Sequence, residues 1–114
     1  MEDDCVIYGG SEFLKLVAAL RPKMKVMPES VSVAVVKKLI EELKPQVIAF
    51  GARDFTVDII ALARQAKADI YVDRFGEFDV PAGWQDAVDR GATGIQTDRP
   101  AELVAYLRSK GYHK

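Results

Sequence analysis

The chain has 114 residues, a mass of 12.6 kDa and a formal net charge of −1 at pH 7, and 49% of its residues are hydrophobic. This length suits one globular domain, so we expect residues 1–114 to form a single unit. Balanced charge argues against nucleic-acid binding driven by positive charge, and no apolar run reaches the roughly 20 residues of a membrane span.

The chain begins with four acidic or neutral residues, 1–4 (MEDD), which are unlike the basic start of a signal peptide, and we therefore expect a cytoplasmic location. Residues 5–8 (CVIY) are β-branched and aromatic and predict a first strand. Within it, Cys5 is expected to be a small buried side chain, and as the single cysteine it excludes an internal disulfide. Two glycines break this strand, and Ser11 is a suitable N-cap for a helix that ends at Pro22.

A second, weak strand is predicted at residues 25–27, ending at Pro28, with a loop opening at Glu29. Ser32 is a suitable cap for the next helix, in which apolar residues recur at intervals of three and four. Pro45 ends that helix.

The second half of the chain continues the alternation. Strands are predicted at residues 46–50, 70–72 and 93–96. Helices are predicted after Asp54 or Thr56, over residues 82–90 up to Gly91, and from Pro100 onward with Thr97 or Asp98 as the cap. Short strands separated by crossover helices predict a parallel α/β sheet. The alternation alone does not separate an open doubly wound sheet from part of a (β/α)8 barrel, which usually takes about 250 residues.

In parallel α/β folds, ligands bind where strands end and helices begin. The junctions of this chain carry both carboxylates and arginines: Glu29, Asp54, Asp73, Glu77 and Asp98, with Arg53, Arg74 and Arg99. That mixture favours an anionic or polar ligand, together with a divalent cation held by carboxylate oxygens. Helix capping and solvated charge are the structural alternative for each of these residues.

The last 45 residues carry a more specific pattern. Residues 91–100 (GATGIQTDRP) follow a Gly-x-x-Gly-Ile-x-Thr-Asp-Arg-Pro segment, and Asp73 ends the preceding strand where Asn is often found. This pattern resembles the C-terminal end of the glycerophosphodiester phosphodiesterase family, where the segment closes the barrel. The resemblance implies a partial (β/α) TIM-type barrel of about five βα units with parallel strands; an open flavodoxin-like sheet is the alternative.

Members of that family hydrolyse glycerophosphodiesters to glycerol 3-phosphate and an alcohol, usually with Ca²⁺ or Mg²⁺. The family's His-Arg-Gly strand, His-Asp pair and Glu-x-Asp metal motif are missing here, and the one histidine is His113. In-line attack on a phosphodiester needs a proton acceptor, a proton donor and charge neutralisation at phosphate. We therefore expect no catalytic residue, no metal ligand and no phosphodiesterase activity in the isolated chain; Ca²⁺ or Mg²⁺ is implied by the resemblance alone.

The retained loops are expected to line the phosphate-ester side of the barrel mouth. Asp98 is expected to cap the last helix and orient Arg99, and Arg99 or Arg74 is expected to meet a phosphate ester or an acidic ligand. The full set of mouth residues that the sequence proposes is Asp98, Arg99, Asp73, Arg74, Glu29 and Arg53.

A partial barrel leaves two edge strands and an uncovered interior, expected to consist of Val, Ile, Ala and Phe, and such surfaces are normally paired or covered. We therefore expect self-association, most simply a two-fold homodimer that joins two partial barrels, or a strand-exchanged version of it. A non-catalytic, self-associating half-barrel module is the alternative to a phosphodiesterase-like protein.

Overall fold

A computed structural model describes residues 4–30 and 32–114, so most of the acidic start considered above lies outside it. The described chain alternates strands and α-helices: β1 (Val6–Gly9), α1 (Ser11–Leu20), β2 (Lys25–Ser30), α2 (Val33–Leu43), β3 (Val47–Phe50), α3 (Val57–Gln65), β4 (Asp69–Asp73), α4 (Pro81–Asp89), β5 (Gly94–Gln96) and α5 (Pro100–Ser109). A short 3₁₀ turn, Gly76–Phe78, precedes α4.

The five strands form one sheet in the order β1-β2-β3-β4-β5, and every neighbouring pair is parallel. Sequential parallel strands with crossovers of one hand place all connecting helices on the same face of the sheet. A flavodoxin-like sheet reverses its strand order and has helices on both faces. The flavodoxin-like alternative is therefore wrong, and the partial TIM-type barrel of five βα units is confirmed.

The core lies between this sheet and its helices, in two clusters. Around β1 and β2, Leu14, Val26, Leu39 and Leu43 pack together. From β3 onward, the buried side chains include Ile48, Phe50, Ile70 and Val72, packed against residues of α2, α3 and α4. Because strand side chains alternate between faces, these large apolar residues all lie on the helix side.

The open face consequently differs from the expected Val, Ile, Ala and Phe surface. Its exposed or half-buried side chains alternate with the core residues and are partly polar: Tyr8, Met27, Glu29, Ala49, Tyr71, Asp73 and Gln96. The expectation of an open face made of Val, Ile, Ala and Phe is therefore wrong. Because side chains alternate along a strand, most of the β-branched residues face the helices.

Several local expectations are also settled. β2 continues through the buried Pro28 to Ser30, so Glu29 is a strand residue and not the start of a loop. Ser32 caps α2 as expected, because its Oγ accepts a hydrogen bond from the Val35 N–H at 3.2 Å. Ser11 is the first residue of α1, not its N-cap. Cys5 is exposed, which corrects the expected burial.

Candidate ligand cleft

The open face of the sheet holds a cleft of about 560 Å³ at the C-terminal ends of the strands. The middle of the cleft is shallowly lined because Ala49 of β3 and Gly51, directly after β3, lie between larger residues of the neighbouring strands. The register places Ala49 opposite Glu29 of β2 and opposite Tyr71 of β4. Small side chains in the middle of the sheet thus open a space that taller side chains flank.

One side of the cleft is formed by Tyr8 and Glu29. The Tyr8 hydroxyl donates a hydrogen bond to Glu29 Oε2 at 3.2 Å. Partial burial of the phenol raises the pKa of Tyr8 above its ordinary value, and the hydrogen bond to Glu29 and the negative charges of Glu29 and Asp73 raise it further. The negative charges of Glu29 and Asp73 both raise the pKa of Tyr8, so both carboxylates contribute to the electrostatic potential at this side of the cleft.

The other side is formed by Tyr71, Phe75 and Asp73. Asp73 is half-buried at the end of β4, and its Oδ1 accepts a hydrogen bond from the Phe75 N–H at 2.7 Å. This side-chain-to-backbone bond fixes the turn that leads the chain out of the strand. The ring of Tyr71 lies against Gly94 of β5, where even a Cβ atom would be too close to it.

The charges that line this cleft are of one sign. Among the described lining residues, Glu29 and Asp73 are charged, and none is Lys, Arg or His. The carboxylates and arginines that were expected to lie together are therefore separated: carboxylates line the cleft, and the arginines lie outside its lining.

Arg74 illustrates this division. It follows Asp73 directly, and neighbouring residues at a strand end point to opposite faces, so Asp73 faces the cleft while Arg74 turns toward the helices. The Arg74 side chain is 2% exposed, and its guanidinium lies over the rings of Phe55 and Phe78.

The polar atoms of Arg74 are engaged in this buried position. Its Nε donates to the Gly83 carbonyl at 3.1 Å, and its Nη2 to Asp86 Oδ2 at 2.8 Å. Burial lowers the pKa of Arg74, which the charge of Asp86 opposes. Arg74 is thus placed away from the cleft, in a position that stabilises the packing of α4.

Asp98 and Arg99 lie in the turn after β5, but not in the expected arrangement. Arg99 itself occupies the N-cap position of α5, with no side-chain cap. Its guanidinium donates to the Asp79 carbonyl at 3.0 Å, pairs with Glu102 and lies over the Trp84 ring. The exposed Asp98 contributes its backbone N–H to Asp79 Oδ2 at 2.9 Å.

The residue that organises this turn is Asp79, which the sequence reasoning missed. Its side chain is 4% exposed, and its Oδ1 accepts hydrogen bonds from Trp84 Nε1 at 2.8 Å and Thr97 Oγ1 at 2.5 Å. Burial opposes ionisation, but these two bonds, the Asp98 N–H and the charge of Arg99 together lower the pKa of Asp79. The sequence did hold a signal for this role. Asp79 lies between two apolar residues and five positions before Trp84, whose indole N–H needs an acceptor when it is buried.

Trp84 is accordingly buried in the fold beside Tyr106 and lies outside the cleft. Arg53 lies in a shallow depression next to the cleft, with Asp54 and Glu77, and Asp73 borders both. The structure therefore brings Glu29 and Asp73 to the cleft, Arg53 to its margin, and Arg74 and Arg99 to packing positions.

The described residues hold no complete protein ligand set for the Ca²⁺ or Mg²⁺ that the family resemblance implies. Residues 4–30 and 32–114 contain no group of three His, Cys, Asp or Glu side chains that could hold a metal ion. Ca²⁺ takes six to eight oxygen ligands, whereas the cleft offers two carboxylates, one already bonded to Tyr8. In the same part of the chain, every helix is too short or too polar to cross a bilayer.

Comparisons with known proteins concern the fold. No protein-family model matches the chain, and no curated protein matches it in sequence. A protein from Silicibacter pomeroyi DSS-3, assigned as a glycerophosphoryl diester phosphodiesterase, matches with a TM-score of 0.81 at 16% identity, over 99% of this chain and 40% of that one. One from Galdieria sulphuraria, assigned as a glycerophosphodiester phosphodiesterase, matches with a TM-score of 0.83 at 16% identity, over 95% and 45%.

A glycerophosphodiester phosphodiesterase from Parabacteroides distasonis ATCC 8503 gives a TM-score of 0.72 at 21% identity, over 90% of this chain and 42% of that one. The chain thus spans 40 to 45% of the length of the first two structures. At this level of identity the likeness is one of fold: the chain has the fold of part of a glycerophosphodiester phosphodiesterase barrel.

Proposed function

We propose that this chain is a glycerophosphodiester phosphodiesterase-like half-barrel that self-associates and does not hydrolyse phosphodiesters by itself. The observation that carries the proposal is a sheet in which β1 and β5 each have one neighbouring strand, in a fold whose solved counterparts are more than twice as long. Unpaired strand edges favour pairing with another chain.

A second copy of this chain is the partner that we propose. Two copies supply twice 114 residues, close to the roughly 250 of a complete barrel, and ten strands against its eight. A two-fold axis along the barrel would set β1 of each copy beside β5 of the other, so that both edges are covered at once.

The outer surface of α1 supports this arrangement. Phe13, Leu16 and Leu20 are 53%, 63% and 76% exposed, and their spacing places them along one side of the helix. In a complete barrel the first helix of this segment would be flanked by a preceding helix. Apolar side chains of this size favour a covering partner over solvent.

Sedimentation equilibrium tests the self-association. We expect a species of about twice 12.6 kDa at micromolar concentration, and a shift to monomer in the double variant Leu16→Glu and Leu20→Glu. Val57→Glu is the matched control, since Val57 is 74% exposed on α3, far from either edge, and should leave the dimer intact. A wild-type chain that is monomeric at every concentration contradicts the proposal.

The lack of activity rests on chemistry. The sequence contains one histidine, at position 113, and the described residues contain no three-ligand metal group. Hydrolysis of bis(p-nitrophenyl) phosphate and glycerophosphocholine, with added Ca²⁺ or Mg²⁺, is expected to stay at the rate without protein. Turnover that co-purifies with the chain and rises in proportion to its concentration would overturn this part.

A phosphodiester-type ligand at the mouth loops is the second candidate function, and one observation favours it. Arg53 is exposed beside the cleft and makes no hydrogen bond or ion pair with another described residue. Of the six proposed mouth residues it is therefore the one best placed to meet a phosphate. Titration with glycerol 3-phosphate should show binding that Arg53→Ala abolishes, with Arg108→Ala as the control; unchanged binding in Arg53→Ala excludes this site.

The location that we propose is the cytoplasm, because a chain with one cysteine forms no internal disulfide and needs no oxidising compartment to fold.

A further inference from the structure

We infer that the open-face cleft is a binding site for a small organic cation, an alkylammonium group, and not for the anion that the arginines of the sequence suggest. This inference concerns the cleft of one copy. It does not depend on whether a second copy completes the barrel, because the C-terminal ends of the strands remain at the mouth in either case.

The charged side chains that line the cleft are carboxylates. Glu29 of β2 lies opposite the small Ala49, Asp73 ends β4 two residues beyond Tyr71, and both carboxylates act on the hydroxyl of Tyr8. The lining residues that the structure describes include no basic side chain to neutralise them. A cation that enters the cleft gains two attractive interactions, whereas a phosphate would meet two carboxylates.

Two of the arginines near the cleft are held in place by their own partners. Arg74 is held on the helix side by Gly83 and Asp86, and Arg99 is held by Asp79 and Glu102. Neither guanidinium is free to swing into the cleft as a counter-charge without breaking at least two interactions. Arg74 and Arg99 therefore leave the negative charge of the cleft in place, and Arg53, exposed at its margin, is the remaining nearby arginine.

Aromatic side chains line both sides of the cleft. Tyr8 stands on one side of the cleft, and Tyr71 and Phe75 stand on the other. The faces of aromatic rings attract organic cations, and this attraction adds to that of carboxylates. A bare metal ion, which keeps its water ligands or binds oxygen atoms, gains little from such walls. Aromatic rings combined with two carboxylates select an ammonium group that carries carbon substituents.

The cleft is large enough for a charged group that carries carbon substituents. The cleft is about 560 Å³, and its floor at Ala49 and Gly51 leaves room for several carbon atoms beside the charged group. Because position 94 is glycine, the Tyr71 ring lies against β5 in a place where a Cβ atom would clash with it.

NMR titration of the isotopically labelled chain with tetramethylammonium chloride tests the inference. We expect saturable shifts centred on Glu29, Ala49, Tyr71 and Asp73, and weaker binding as ionic strength rises. tert-Butanol, a neutral molecule of similar shape, and inorganic phosphate serve as the comparison ligands. Neither is expected to bind in the cleft.

Variants then separate charge from shape. Glu29→Gln with Asp73→Asn keeps an acceptor for Tyr8 and for the Phe75 N–H, and should weaken binding about tenfold. Tyr71→Leu should weaken it about threefold through loss of the ring face. Glu41→Gln, which removes a carboxylate from the exposed surface of α2, is the matched control and should change nothing.

Three results would overturn the inference: no saturable shift at these residues, tert-butanol binding as tightly as tetramethylammonium, or phosphate binding in the cleft. Sedimentation of the same samples shows whether the chain is monomeric or dimeric. If the sample is dimeric and no cation binds, this inference is wrong and the proposed self-association stands. If the sample is monomeric and the cation binds, the proposed self-association is wrong and this inference stands.

Discussion

The carboxylate of Asp79 accepts a hydrogen bond from the indole N–H of Trp84 at 2.8 Å, and both side chains are buried. This pair links the loop before α4 to the helix itself. The same carboxylate binds Thr97 and the Asp98 N–H after β5. The junction between the last two βα units is therefore built around one buried charge.

Asp79→Ala should lower the free energy of unfolding by about 2 to 3 kcal/mol, because it leaves the buried indole donor of Trp84 and two further donors without their acceptor. Urea denaturation followed by tryptophan fluorescence measures this. Asp58→Asn, at an exposed site on α3, is the control and should change the stability by less than about 0.5 kcal/mol. A loss for Asp79→Ala no larger than the control's would show that the network contributes nothing.

The lowered pKa of Asp79 also predicts a pH dependence. The folded state favours the ionised carboxylate relative to its ordinary pKa of 3.8. The stability that this carboxylate contributes is therefore present above pH 3.8 and is lost as the pH falls through the lower pKa of the folded state. The difference in unfolding free energy between wild type and Asp79→Asn should be largest near neutral pH and shrink below about pH 4. A difference that is constant from pH 7 to pH 3 would contradict the assignment.

Arg74→Lys should destabilise the fold by about 1 to 3 kcal/mol although it keeps the charge. A lysine lacks the planar guanidinium that lies between Phe55 and Phe78, and one ammonium cannot reproduce the bonds to both Gly83 and Asp86. Thermal denaturation measures this, with Arg53→Lys as the control. Equal melting temperatures for the two variants would mean that Arg74 serves as a charge alone.

Gly83→Ala should destabilise the fold by more than about 2 kcal/mol. A Cβ at position 83 would lie 1.9 Å from the Phe78 carbonyl oxygen, and backbone atoms cannot yield as the tip of a side chain can. Gly10→Ala is the matched control, because a Cβ at position 10 meets nothing within 4 Å. Chemical denaturation of the two variants should therefore separate them clearly, and similar midpoints would contradict the close approach of the 3₁₀ turn to α4.

The Tyr8 phenol should ionise at a higher pH than its ordinary pKa of 10.0 because of partial burial, the hydrogen bond to Glu29 and the nearby carboxylates. Glu29→Gln removes one of those charges and should bring the pKa of Tyr8 down toward 10.0. NMR detection of ring resonances follows the titration of this residue by itself. A Tyr8 pKa that does not change in Glu29→Gln would place the carboxylate too far away to act.

The alternation of elements and the order of the five units were readable in the sequence because hydrophobic period, prolines and glycines act locally. Ser32 is an example: a short polar residue ahead of an apolar helix capped it as expected. Less local features were missed. Pro28 did not end β2, since the strand is held in the middle of the sheet by neighbours on both sides.

The positions of the arginine side chains relative to the cleft were also not predictable from the neighbouring residues in the sequence. Asp73 and Arg74 are adjacent in sequence, and both were assigned to the mouth. Strand alternation separates them, one to the open face and one to the helices, but which of the two faces the cleft depends on the register of β4 with β3 and β5. That register is fixed by long-range pairing.

By itself, the sequence determined the βα alternation, the resemblance of residues 91–100 to a barrel-closing segment and the lack of a histidine pair, since these are properties of residue type and spacing. Only the tertiary structure decided that the strands lie in sequential order, that Asp79 orders the last junction and that the cleft carries negative charge. The reason is physical: a side chain's chemistry is set by its neighbours in space, and those neighbours come from distant parts of the chain.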